Sequence, residues 1–229
     1  MNKRGASHIE IIFSFILFVA VISSAIYFLS PTGKDNRGEL ISQHTLNEII
    51  RYGEVNLISY SVVITNNGLK DVSVNISGVN SSYSASAEDS LGNRLPVTRL
   101  GDVVGVSAKE RFFIIRLSNG IKANYTSISL KDNDEDKYTI SSISPEKVVS
   151  EKRVIDLRNV YETDYIGLKD RLGVPSNRDF SFYIDDNGNR TGVGADKKRG
   201  DEVYVIENNV KVIDENGKIK FDSIGVSIW

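Results

Sequence analysis

Cysteine is absent from this chain of 229 residues, and histidine, methionine and tryptophan are scarce. Without cysteine there can be no disulfide, no thiolate nucleophile and no cysteine-ligated metal site. Lysine and arginine number 28 against 30 aspartates and glutamates, which leaves a net charge of −2 and no basic surplus. Nucleic acid binding is therefore not expected.

Catalytic motifs are also missing. The sequence contains no nucleophile elbow of the Gly-x-Ser-x-Gly type, no phosphate-binding loop and no Gly-x-Gly-x-x-Gly. A Ser-His-Asp arrangement would have to use His44, because His8 lies at the edge of an apolar run. We expect no enzymatic activity and no cofactor, with a hydrolase that uses paired carboxylates as a minor alternative.

The N-terminus holds the most informative pattern. Lys3 and Arg4 precede a small-residue junction, Gly5-Ala6, and an almost unbroken apolar run extends from Ile9 to Leu29. At 1.5 Å per residue this run reaches roughly 30 Å, the thickness of a bilayer core. The pattern predicts a transmembrane helix with its N-terminus in the cytoplasm and the bulk of the chain outside.

Glu10 is the second residue of that apolar run. A carboxylate that becomes buried needs a partner, and a free N-terminal amine on a neighbouring chain would serve. A polar flank residue at the headgroup level is the alternative interpretation.

The segment Lys3-Arg4-Gly5, followed by Ala6-Ser7-His8-Ile9-Glu10 and an apolar helix, resembles the class III signal peptide of type IV pilins, most closely that of archaeal pilins and pilin-like proteins. The resemblance covers about 25 residues. It implies cleavage by a prepilin peptidase between Gly5 and Ala6, a role for Glu10 in subunit assembly, and a filament core built from the helix. Archaellins lack the acidic residue, so Glu10 favours a pilus subunit.

Four Asn-x-Ser/Thr sequons are acceptor sites for N-glycosylation if the chain is exported. Their asparagines are Asn75, Asn80, Asn124 and Asn189. One metal candidate is a set with partial calcium-loop spacing, Asp185, Asn187, Asn189 and Asp196. Arg190 stands where that loop needs glycine, so a simple hairpin turn is the better interpretation and no metal is expected.

The rest of the chain alternates between strand and turn signals. Apolar residues alternate from Ile58 to Ile64, and further strands are predicted at 70–77, 111–118, 121–130, 180–185, 202–207, 210–214 and 218–229. Turns are expected at Asn119-Gly120, Asn208-Asn209 and Asn216-Gly217. Helical spacing predicts a helix over 156–172 and a short one over 39–53.

These elements predict an α+β fold. A long N-terminal hydrophobic helix would precede a β-rich, sandwich-like domain and a C-terminal unit with a helix on an antiparallel sheet. The expected divisions are a leader at 1–5, a transmembrane and filament-core helix at 6–29, a hinge and linker helix at 30–53, a β-rich domain at 54–150 and an α+β unit at 151–229.

Together with this resemblance, the sequence predicts a structural subunit, a minor pilin or pilin-like protein, of an archaeal type IV pilus-like surface filament. Adhesion, DNA uptake and motility are all compatible with this prediction. Its partners would be the membrane, a prepilin peptidase, other pilin subunits and the assembly machinery. The alternative is a single-pass membrane-anchored binding protein that does not polymerise.

Overall fold

The computed structural model describes residues 4–29, 37–65, 71–130, 136–186, 188–194 and 203–229, and within the first of these ranges it describes the side chains of 10–25. The described chain is mostly β-sheet, with four helices. The helices are α1 (Arg4–Leu29), α2 (Arg37–Gly53), α3 (Glu151–Thr163) and α4 (Tyr165–Arg171). Two compact units result, 1–37 and 38–229.

Twelve strands are described, and all of them belong to the second unit. They are β1 (Glu54–Ile64), β2 (Asp71–Asn75), β3 (Ser84–Asp89), β4 (Arg94–Leu95), β5 (Val97–Leu100), β6 (Val103–Ser107), β7 (Phe112–Ser118), β8 (Tyr138–Ser150), β9 (Phe180–Asp186), β10 (Asn189–Val193), β11 (Tyr204–Ile213) and β12 (Ile219–Ile228). Nine form one sheet in the order β10-β9-β12-β11-β8-β1-β7-β3-β4, and three form a second sheet in the order β2-β6-β5.

Strand β8 lies at the centre of the large sheet and joins its two halves. It pairs antiparallel with β1 along the register from Glu54↔Val149 to Ile64↔Tyr138. Its last two residues pair in parallel with Val212 and Ile213 of β11. Strands from the N-terminal and C-terminal parts of the chain therefore share a continuous hydrogen-bonded sheet.

The predicted α+β fold class is wrong, because the described residues form a mostly β-sheet fold and none of their helices is the membrane-length apolar helix expected at 6–29. We expected a sandwich-like domain followed by a separate unit with a helix on its own sheet, but the nine-stranded sheet contains strands from both segments. The physical reason is the long-range pairing of β8 with both β1 and β11, which local sequence patterns do not encode.

Apolar side chains are buried on the large sheet in separate clusters. One lies between β1, β3 and β7 and the three-stranded sheet, with Phe113 and Ile115 fully buried in it. Another packs α2, α3 and α4 against β9 and β12, and includes Leu46, Leu157 and Phe180. A small third cluster around Leu57 and Ile213 occupies the middle.

The predicted helix at 156–172 is two helices in the structure. Asp164 ends α3 with backbone angles of φ −142° and ψ 62°, outside the helical region, and then caps α4. Its carboxylate Oδ1 accepts a hydrogen bond from the amide of Gly167 at 3.0 Å. Aspartate is among the residues that best satisfy the free amides at a helix start, so one residue both ends α3 and begins α4.

Candidate functional site

The surface of α1 is the first candidate. Its large apolar side chains between Ile11 and Ile22 are exposed, with exposed fractions of 68% at Phe13, 65% at Phe15 and 68% at Leu17. The small side chain of Ser14 lies in a shallow apolar depression beside Phe13 and Phe18. A helix that is apolar on every side normally has partners on every side. Exposed apolar patches of this extent are typical of surfaces that contact other molecules.

The residues of the predicted cleavage and assembly sites lie at the start of α1. The backbone of Gly5 and Ala6 forms its first turn, and their side-chain surroundings lie outside the described residues. Glu10 is the only acidic residue of α1, and it is exposed. Glu10 therefore lies four positions after Ala6 and directly before the exposed apolar side chains that begin at Ile11.

No helix in the described part of the chain combines the length and the apolar character needed to cross a membrane. The predicted transmembrane helix at 6–29 and the single-pass location, with a cytoplasmic N-terminus and the bulk outside, are therefore wrong. The sequence estimate counted apolar residues from Ile9 to Leu29.

The sequon asparagines are all exposed, and they lie on two kinds of structure. Asn75 ends β2, an outer strand of the small sheet, and Asn189 begins β10, an outer strand of the large sheet. Asn80 and Asn124 lie in loops. The Asn80 side chain accepts a hydrogen bond from the Ser82 amide at 2.9 Å, which orders its loop. Glycosylation at these four positions stays a prediction.

Two of the four metal candidates, Asn187 and Asp196, lie outside the described residues. Asp185 is engaged within its own hairpin. Its carboxylate accepts hydrogen bonds from the Gly188 amide at 2.6 Å and from Arg190 Nε at 2.7 Å, and these contacts lower the pKa of Asp185. Across the described ranges, no cluster of three or more histidine or acidic side chains could hold a metal ion.

Arg190 ties this hairpin to the next strand. Its guanidinium carbon lies 4.5 Å from the centre of the Tyr183 ring, and its NH2 group lies 3.2 Å from Glu207 Oε1. The arginine that occupies the glycine position of a calcium loop thus forms ion pairs with two carboxylates, those of Asp185 and Glu207.

Sequence reasoning missed a polar cleft between β3, β7 and the turn that joins β11 to β12. Arg94, Arg116 and Lys218 line it together with Glu88 and Asp214. These residues are up to 130 positions apart in the sequence and belong to no motif, since only the sheet order brings them together. The one sequence signal was Arg116, a cation inside the otherwise apolar strand at 112–118.

No family model, no curated protein and no solved structure matches this chain.

Proposed function

We propose that this protein is a structural subunit, of the minor pilin or pilin-like kind, of an archaeal type IV pilus-like filament. In this proposal the chain is processed after Gly5 and assembles through α1. The observation that carries it is the exposed apolar surface around α1. Burying a large apolar side chain contributes about 1.5–3 kcal/mol, so a bundle of α1 helices from several copies has a strong driving force.

The position of Glu10 supports the same proposal. A carboxylate taken into an apolar helix bundle is costly unless it meets a cation. Cleavage after Gly5 creates an ammonium at Ala6, and the α1 helix of an adjacent copy can bring that ammonium to Glu10. Because this pair forms at one axial offset between neighbouring helices, it would set their register.

The compact unit at 38–229 supports a displayed role. It has its own buried clusters and an extensive sheet, so its fold does not depend on burying α1. A subunit whose folded part is independent of its association helix can assemble without refolding.

Replacing Glu10 by Gln tests the proposal, because the change removes the charge and keeps the size. We expect Glu10→Gln to be produced and folded as the wild type is, but to be lost from the sedimented filament fraction of cells that carry the assembly machinery. Glu39→Gln is the matched control, since Glu39 is an exposed glutamate in the first turn of α2. Incorporation of the Glu10 variant at the wild-type level would overturn the proposal.

A further inference from the structure

The polar cleft missed by sequence reasoning has a volume of about 240 Å³. One wall is β3, which contributes Ser86 and Glu88, and the opposite wall is the turn from Asp214 to Lys218. Arg116 of β7 also lines it. The cleft is smaller than the roughly 300–1,000 Å³ of sites that take drug-sized ligands, so its occupant is a small molecule or a single sugar unit.

Close packing fixes the turn against the sheet. Gly217 has φ +85°, and a Cβ there would lie 1.9 Å from Ser86 Oγ, so no larger residue fits without movement. Asp214 Oδ1 accepts hydrogen bonds from the amides of Asn216 and Lys218, both at 2.8 Å. Arg94 reaches across and donates to Asn216 Oδ1 at 2.7 Å. The second wall of the cleft is therefore held in place before any ligand arrives.

Arg116 is an incompletely satisfied cation in this site. Its side chain is 10% exposed, and its NH2 group pairs with Glu88 Oε1 at 2.5 Å. Its NH1 group makes only a long contact of 3.5 Å with the Gly217 carbonyl. Within the described ranges, its buried Nε has no hydrogen-bond partner. A buried guanidinium that keeps spare donors is costly and is typical of a site prepared for an acceptor.

The charges define the ligand class. Three cationic side chains, Arg94, Arg116 and Lys218, face two carboxylates, Glu88 and Asp214, so one positive charge is left over. A ligand with one carboxylate balances this surplus. Phosphate or sulfate would bring more negative oxygens against Glu88 and Asp214. The walls also offer acceptors, such as Ser86 Oγ and the second Asp214 oxygen, which suit hydroxyl groups.

We propose that this cleft binds a uronate sugar unit, a ring of hydroxyl groups with a single carboxylate. The carboxylate accepts hydrogen bonds from the NH1 group of Arg116 and from Lys218 at the rim, and the hydroxyl groups bind the remaining polar atoms of the walls. This proposal does not rest on filament assembly, because every residue that it uses belongs to the unit at 38–229.

The test is a titration of the full ¹⁵N-labelled chain, in a neutral detergent, with glucuronate, glucose and inorganic phosphate. We expect glucuronate to shift the amide resonances of Asn216, Gly217 and Lys218 in a saturable manner, with glucose and phosphate far weaker. Lys218→Gln should weaken glucuronate binding about tenfold, the effect of losing one charge-assisted hydrogen bond. Lys109→Gln is the matched control, since Lys109 is exposed and does not line the cleft.

Four results would overturn the proposal. The first is the absence of saturable shifts at the turn with glucuronate. The second is glucose binding as tightly as glucuronate, which would show that the cleft binds polar molecules without recognising the carboxylate. The third is phosphate binding as tightly as glucuronate, which would show that the cleft binds anions in general. The fourth is unchanged affinity in Lys218→Gln. Because Lys218 is exposed, this variant should keep the wild-type melting temperature, so reduced affinity would not reflect unfolding.

Discussion

Helix α1 and the unit at 38–229 use apolar residues in opposite ways. Phe15 of α1 is 65% exposed, whereas Phe113 of β7 is completely buried between two sheets. In the second unit, apolar side chains stabilise the fold of a single chain. In α1 they remain available for contacts with other molecules. Apolar residues thus stabilise the fold in one region, and we propose that they serve association in the other.

The largest expected effect comes from making the same substitution in both regions. Phe113→Ala should destabilise the unit at 38–229 by about 3–5 kcal/mol, because it removes a fully buried aromatic ring and leaves a cavity. Phe15→Ala should change the unfolding free energy of that unit by less than about 0.5 kcal/mol but weaken filament assembly. Denaturant unfolding measures the first effect, and sedimentation of filaments measures the second. Equal destabilisation of the unit at 38–229 by both substitutions would show that α1 contributes to its fold as much as the buried core does.

Gly217→Ala should have the next largest effect, a loss of about 1–3 kcal/mol in the unfolding free energy. The reason is local, since alanine is strained at φ +85° and its Cβ would collide with Ser86 Oγ. Thermal melting measures the loss. Gly188→Ala is the control for strain alone, because Gly188 has φ +90° with open space around it. A smaller loss for Gly217 than for Gly188 would show that the turn is not tightly packed on β3.

Asp164→Ala should cost about 1 kcal/mol, the usual value of a helix N-cap. The variant loses the hydrogen bond to the Gly167 amide and with it the start of α4. Hydrogen exchange should accelerate in α4 and leave α1 unaffected. An unchanged exchange rate in α4 would mean that packing of Leu168 and Leu172 is enough to hold the helix.

The smallest effect should appear at Asp185, and only as a function of pH. Its contacts with Arg190 and the Gly188 amide lower its pKa in the folded state. The stability that it contributes is therefore present above the unfolded-state pKa of about 3.9 and is lost as the pH falls through the folded-state value. Asp185→Asn should melt slightly below the wild type at pH 7 and together with it in strong acid. A gap between the two that persists in strong acid would argue against this linkage.

Local structure could be predicted from the sequence where a periodic run of apolar residues ends at glycine or another turn-forming residue. The alternation from Ile58 to Ile64 predicted the core of β1, and the helix expected at 39–53 is confirmed as α2. The turn at Asn216-Gly217 is also confirmed, because glycine there adopts the positive φ that the turn requires. These features depend on neighbours in the sequence.

Other features could not be read, because contacts from distant residues decide them. Asn208-Asn209 was expected to turn but continues β11, where Ser223 donates a hydrogen bond to Asn209 Oδ1 at 2.6 Å. The strand predicted at 121–130 is an irregular segment instead. The continuous sheet and the Arg116 cleft require pairings across more than 60 positions. Periodicity carries no information at that range.

The most direct test of the account is the intact mass and N-terminal sequence of the protein produced together with its own prepilin peptidase. We predict a mature chain that begins at Ala6 and lacks Met1 to Gly5, which would create the ammonium that Glu10 needs in a neighbouring α1. A chain that retains Met1 to Gly5 would contradict the proposed processing and, with it, the assignment of α1 as the assembly helix of a pilus-like filament.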